Sequence, residues 1–392
     1  ISVGGIDGTV KVWDLESAIL LFELTGHTGI ISSLAFSPDA NSLASSSVDG
    51  STRVWDVSAN GMTEWLTLSG HTEVVYSLNY SPDGRKIATS SWDETAVIWD
   101  AFTGNRLFTL QNFTAEVARI TFNHGGTKIV TADYSGALKL WEADTGRLVL
   151  SVPAHSPGDI DAMFSPDGNF IGTGGSDGVA KLWDADTGEV IRIFAGHTDV
   201  IHRISFNPDG SLLATASWDD TAKIWQVSSG ELLYTLSAGT GDVKSVDFSP
   251  DGKLLVTAHE DGIARVWDVS MVGAESPNEP GIVQTLVGHN STVWDASFGP
   301  DGKHLATISF DGTVRLWDAE SGNELLAWSG NNNGPDLEFS PDGRHLAVTT
   351  GDGTVRMFIM SLEELKSVAE SRLTRSFTLA ECLKYLHRDS CP

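Results

Sequence analysis

Apolar and polar positions alternate in short runs through most of this chain. Between Asp199 and Phe206, Val200, His202, Ile204 and Phe206 stand against more polar neighbours, a period of two that predicts a strand. Asn207-Pro208-Asp209-Gly210 then predicts a turn, because proline fixes φ and glycine accepts the left-handed conformation that ends it. Leu212 to Ser217 reads as a second strand, Trp218-Asp219-Asp220 as a tight turn and Thr221 to Trp225 as a third strand. After the polar Ser228-Ser229-Gly230, Leu232 to Leu236 reads as an outer strand. The device recurs, with Pro-Asp-Gly turns at Pro82, Pro166, Pro250 and Pro341. A tryptophan closes each unit at 13, 55, 99, 141, 183, 225, 267 and 317, with Phe358 in the same phase.

A period of just over 40 residues with four short strands per unit is the signature of a β-propeller blade. The recurring Gly-His, turn Asp and closing Trp, often followed by Asp, resemble the WD-repeat family over residues 1 to about 360. In that family a buried hydrogen-bond chain links the Gly-His histidine, a hydroxyl of the second strand, the turn Asp and the Trp. The resemblance implies four such sets here: His27, Ser47, Asp49 and Trp55; His71, Ser91, Asp93 and Trp99; His197, Ser217 (or Thr215), Asp219 and Trp225; and His289, Ser309, Asp311 and Trp317. His155, Thr173, Asp177 and Trp183 form a looser set, with Gly175 in the Ser position. Each buried polar group thereby gains a partner. A Ser, His and Asp together also suggest a hydrolase, but a catalytic triad occurs once and opens on a cleft, whereas this set recurs at one phase. Three repeats depart: Phe113 replaces the His and Ser135 the turn Asp; Gly239 replaces the His, with His259 at the Ser position; Gly330 and Phe358 replace His and Trp. These are expected to lose the network.

The resemblance further implies a ring whose last blade borrows its outer strand from the N-terminal side. Taking Glu64 to Leu68 as that strand makes 62–360 one seven-bladed, all-β propeller, with 1–60 as partial blades of a preceding propeller and 361–392 as a short helical tail. The competing count is eight, closed by Leu20 to Leu24. Starting at Ile1 in mid-blade, the sequence reads as a piece of a longer protein.

Composition narrows the function. Twenty-five basic against 52 acidic residues give a net charge of −27. That opposes binding to nucleic acid or an anionic membrane and favours basic or apolar protein partners. No apolar run is long enough to span a membrane as a helix. Cys382 and Cys391 lie beyond the repeats, so no disulfide framework is expected and a cytoplasmic setting is the simpler one. Ser270 to Gly281 reads as a surface loop inserted between third and outer strands. Capping boxes at Ser361 and Thr378 predict two helices. The stretch from Leu373 to Pro392 resembles the tail of bacterial multidomain WD-repeat signalling proteins, where propellers follow an NTPase of the apoptotic-regulator-like class or another signalling domain.

The repeats also allow one position to be compared across blades. The residue before the turn Asp is Trp92, Tyr134, Trp218 and Phe310 in four repeats, on what family geometry implies is the top face. Four before the closing aromatic of the first strand, at the channel mouth, stand Tyr76, His202, Lys244 and Trp294. Aromatics give contact area at low entropy cost, so these eight residues are the candidate partner-binding set. No enzyme motif survives: the Gly-rich run from Gly172 to Gly178 precedes no helix, and Glu116, Asp161 and Asp242 form no spaced acid–base pair. No catalytic residue, metal site or cofactor is expected. The reading is a non-enzymatic interaction or ligand-sensing platform, binding a protein, a peptide or an upstream effector domain. A propeller hydrolase or lyase and a structural spacer are the rivals.

Overall fold

The computed structural model describes residues 2–5, 9–13, 20–39, 41–56, 63–237, 241–272, 280–329, 337–339, 345–349 and 355–359. Seven four-stranded antiparallel sheets run from Ile31 to Ser329, each made of four consecutive strands paired in order. In the Trp225 sheet they are Ile201–Phe206, Leu212–Ser217, Ala222–Gln226 and Leu232–Leu236, close to the bounds read from alternation. The turn after the first strand closes as its residues predict, with Gly210 at φ 72° and its N–H donating to Asn207 O at 2.9 Å.

A three-stranded sheet, Leu337–Phe339, His345–Thr349 and Val355–Ile359, lies against both Val293–Phe298 and Ile31–Phe36. The first strands therefore follow one another in a closed circuit that also passes through this sheet. Closure is not by the expected strand: Thr63–Ser69 pairs with Ser51–Asp56, Trp55 opposite Glu64, and not with Val355–Ile359. The strand from Thr63 lies beside the one that ends at Asp56, and that local pairing is the one made. Leu20–Thr25 likewise pairs with Thr9–Trp13 in a three-stranded sheet with Ser2–Gly5. The tail from 361 and the middle of the 270–281 insertion lie outside the described residues; the insertion does join the third strand, ending at Asp268, to the outer strand from Gly281.

Between sheets the closing tryptophans are the main wedges. Trp225 packs with Ala180, Leu182, Ile204 and Phe206, and is 1% exposed. Removing such a ring costs about 3–5 kcal/mol.

The polar chain is present around Trp55, Trp99, Trp183, Trp225 and Trp317, with one correction. The hydroxyl that joins His to Trp is not Ser47, Ser91 or Ser309 but the residue two before it, and in the Trp225 set it is Thr215, the alternative to Ser217. Thr215 Oγ1 accepts the Trp225 indole N–H at 3.0 Å and meets His197 Nε2 at 2.7 Å, while His197 Nδ1 meets Asp219 Oδ2 at 2.8 Å. Ser45, Thr89, Thr173 and Thr307 do the same for His27, His71, His155 and His289. With the indole donating, the Thr215 hydroxyl donates to Nε2, which leaves the histidine's proton on Nδ1, facing the carboxylate. The physical reason is register. Leu213 lies opposite Trp225, so the hydroxyl within reach of the indole is Thr215, while Ser217 lies at the strand end. There Ser217 Oγ donates to Asp199 O at 3.1 Å and accepts Asp219 N–H at 3.2 Å. The His155 set, expected to be looser, is complete, with Trp183 Nε1 donating to Thr173 Oγ1 at 2.9 Å.

Two departing repeats keep the core of the chain. Trp141 donates to Thr131 and Trp267 to Thr257, each at 2.9 Å. In place of a His–Asp pair, Lys139 Nζ meets Asp133 Oδ2 at 2.6 Å, both side chains buried, under the Phe113 ring. In the Trp267 sheet His259 Nε2 meets Thr257 at 2.7 Å and Arg265 pairs with Asp261 at 2.7 Å.

Candidate interaction face

The rim residues owe their direction to a repeated irregularity. In six first strands the pairing slips by one residue at Ser32, Tyr76, Ala118, His202, Lys244 and Trp294. Such a bulge re-aims one side chain and lets the strand resume its alternation. It also explains why simple alternation from Val200 misplaces the buried face: Ile201 is fully buried, and the slip at His202 restores phase for Ile204 and Phe206. Two of the turns opposite are strained. Glu94 and Asp220 sit at φ 62° and 67°, where the corresponding residues of other blades are Gly50, Gly178 and Gly312. These are the turns that carry Trp92 and Trp218.

The eight candidate residues fall into two clusters. Tyr76 stacks on Trp92 at 5.9 Å between ring centroids and meets Tyr134 edge-on at 6.4 Å. Burial, with the Tyr76 phenol and Asp159 nearby, pushes the Tyr134 phenol above its usual range. The second cluster spans three consecutive sheets. His202 stacks on Trp218 at 5.9 Å and meets Trp294 edge-on at 5.2 Å; Trp294 stacks on Phe310 at 4.9 Å. Lys244 Nζ lies 5.0 Å from the Trp218 ring centre and 5.9 Å from that of Trp294, and pairs with Asp242. Exposure is uneven: Trp92 and Phe310 are about 40% exposed, the other rings half-buried, and His202 and Lys244 buried. The rings thus pack on one another and also present a surface. The indole N–H of Trp218 is buried with no acceptor among the described residues.

His202 Nδ1–H donates to Lys244 O at 2.9 Å, and Nε2 faces Asp159 at 3.6 Å, beyond a hydrogen bond. Burial first, then Arg203, lowers the His202 pKa, so the ring is neutral near pH 7. Tyr76, His202 and Trp294 line one cavity of about 270 Å³ together with Arg119, Asp161 and Arg203. The expected channel-facing residue Asp161 is there, buried, receiving Arg119 Nε at 2.9 Å. Burial raises its pKa, but Arg119 and Arg203 outweigh that and hold it below the ordinary value. Glu116 is exposed and Asp242 pairs with Lys244, so neither joins it. The two arginines were not singled out by sequence; comparing the position three before each closing aromatic finds them.

Among the described residues no three His, Cys, Asp or Glu side chains are grouped to hold a metal ion, and no helix is long and apolar enough to cross a membrane.

Stacked four-stranded sheets, with a polar chain behind the closing Trp of the blades, define a repeat β-propeller. The chain belongs to the WD40 family: the family model described as "WD domain, G-beta repeat" matches residues 19–56, 63–100, 146–184, 188–226, 230–268, 281–318 and 322–358. The stretch between the second and third of these holds the Phe113 repeat. Curated relatives match locally. The chain is 41% identical over 59 residues to the "Small ribosomal subunit protein RACK1y" of Oryza sativa subsp. japonica, covering 15% of this chain and 18% of that protein. It is 39% identical over 62 residues to the "WD repeat and SOCS box-containing protein 1" of Takifugu rubripes, covering 16% and 14%. The chain thus spans under a fifth of the length of these relatives. A crystal structure of the computationally designed Ika8 protein superposes with a TM-score of 0.74 at 24% identity, over 86% of this chain and 98% of that one. WD40 propellers are generally protein-interaction platforms, usually non-catalytic, and imply protein partners in general.

Proposed function

We propose that this chain is a non-enzymatic platform that captures a protein or peptide on the face carrying Tyr76, Trp92, Tyr134, His202, Trp218, Lys244, Trp294 and Phe310. The observation that carries the reading is the convergence of two ring clusters on one cavity, with Trp92 and Phe310 exposed. Rigid, preassembled aromatic surface of this kind is what interface hot spots are made of. The same face is suited to an upstream effector domain of the same polypeptide. That wider setting, a regulatory propeller of a larger bacterial signalling protein, rests on the sequence of the 373–392 tail alone.

The test is selection of binding peptides from a random displayed library against the chain. Selected peptides should lose at least tenfold in affinity for Trp92→Ala and for Trp294→Ala, with the thermal transition retained. Selected binders indifferent to both substitutions would overturn the assignment of this face.

A further inference from the structure

The cavity below the rim has a chemistry of its own. Three before the closing aromatic of the first strand stand Ser33, Ser77, Arg119, Asp161 and Arg203, all lining it. Arg119, Asp161 and Arg203 come from three consecutive first strands, so one carboxylate lies between two guanidiniums. Both Asp161 oxygens are engaged: Oδ1 by Arg119 Nε at 2.9 Å, Oδ2 by the Ile204 N–H at 3.0 Å. Arg203 is half-buried and makes no ion pair or side-chain hydrogen bond among the described residues. Two guanidiniums against one carboxylate leave the lining with a net positive charge, on a chain whose total is −27. Asp159 faces His202 and lies outside the lining.

We propose that this cavity binds an anionic group of the partner, a carboxylate or a phosphate, on Arg203, beside the Arg119–Asp161 pair. The inference rests on the platform reading and gives its ligand a chemistry: one anionic group flanked by apolar residues that cover Tyr76 and Trp294. A guanidinium offers the planar fork that fits either anion. The acidic outer surface does not cancel this. At physiological salt its repulsion is screened over about 8 Å, while partly buried guanidiniums are screened much less.

The test uses the whole chain and two probes, inorganic phosphate and acetate, each titrated at constant ionic strength against chloride. The readouts are the NMR resonances of the arginine Nε–H groups and of the Trp294 indole. Saturable shifts at Arg203 and Arg119 are expected in the native chain. Arg203→Gln should weaken the Arg119 response about tenfold or more, while the buried Trp225 indole resonance stays in place as the control for folding. Tighter phosphate than acetate identifies a phosphorylated side chain as the source; equal or tighter acetate identifies a carboxylate. No saturation by either anion, or an unchanged response in Arg203→Gln, overturns the proposal. The platform reading fails separately, through Trp92→Ala and Trp294→Ala in the peptide selection, because Arg203→Gln leaves those rings in place.

Discussion

Replacing Thr215 with valine keeps the shape of the side chain and removes the one hydroxyl that joins His197 to Trp225. The Trp225 indole N–H, 3.0 Å from Thr215 Oγ1 in a ring 1% exposed, is left without an acceptor. His197 Nε2, 2.7 Å from the same oxygen, is left without a donor. A buried polar group deprived of its partner costs about 1–3 kcal/mol. Two together predict a loss of about 2–4 kcal/mol, after allowing for the hydroxyl that is itself no longer buried. Ser217→Ala, by contrast, loses bonds to Asp199 O and Asp219 N beside the turn, neither of which joins His197 to Trp225, and should cost about 1 kcal/mol. The measurement is made where the substitution acts, as hydrogen exchange of the backbone amides of Leu212–Ser217. Thr215→Val should speed their exchange about 30- to 700-fold, while the amides of Lys128–Asp133 serve as the internal reference. Thr215→Ser should restore most of the protection, because Ser45 bridges His27 and Trp55 at 2.9 Å to each. If Ser217→Ala accelerates exchange as much as Thr215→Val, the placement of the bridging hydroxyl is wrong.

Three more outcomes follow from the same geometry. Burial, then Arg265, lowers the His259 pKa to about 4, and its Nδ1 is buried with no partner among the described residues. The unfolded chain takes up that proton near pH 6.5, so stability is full above that and falls as pH drops toward 4, by about 2 kcal/mol at pH 5. His259→Ser should reduce the loss of thermal stability between pH 7 and 5, and an undiminished slope would refute the assignment. Lys139→Met strands a buried Asp133 and should cost about 3–5 kcal/mol, whereas Lys139→Met with Asp133→Ala should cost less; calorimetry that finds the double variant weaker disproves the ion-pair account. Asp220→Gly relieves a φ of 67° and should raise stability by about 0.5–1 kcal/mol, and a lower melting temperature would show that the Asp220 side chain contributes there.

The strands and the turns were legible because each is a local pattern, repeated with its own controls. The bridging hydroxyl was not. Thr215 and Ser217 share a face of one strand, so alternation cannot separate them, and only the pairing of Leu213 with Trp225 does. The Phe113 repeat was read as a loss because the motif residues were missing. Lys139 and Asp133, six apart on adjoining strands, become a pair only when those strands are laid side by side. Closure was beyond the period itself, since every repeat offers an outer strand of the same kind. Arg119 and Arg203 were hidden in a column one residue from the one that was compared.

The slip in six of the first strands bears on how such a chain can change. The rim residue is the extra one in the ladder and belongs to neither regular face of its strand. Tyrosine, histidine, lysine, tryptophan, serine and alanine all occupy it here while the core residues on either side remain Val or Ile before and Leu, Ile, Val or Ala two after. The regular alternation of the core thereby leaves this column free to vary, and its side chains can change without moving the residues that pack between the sheets.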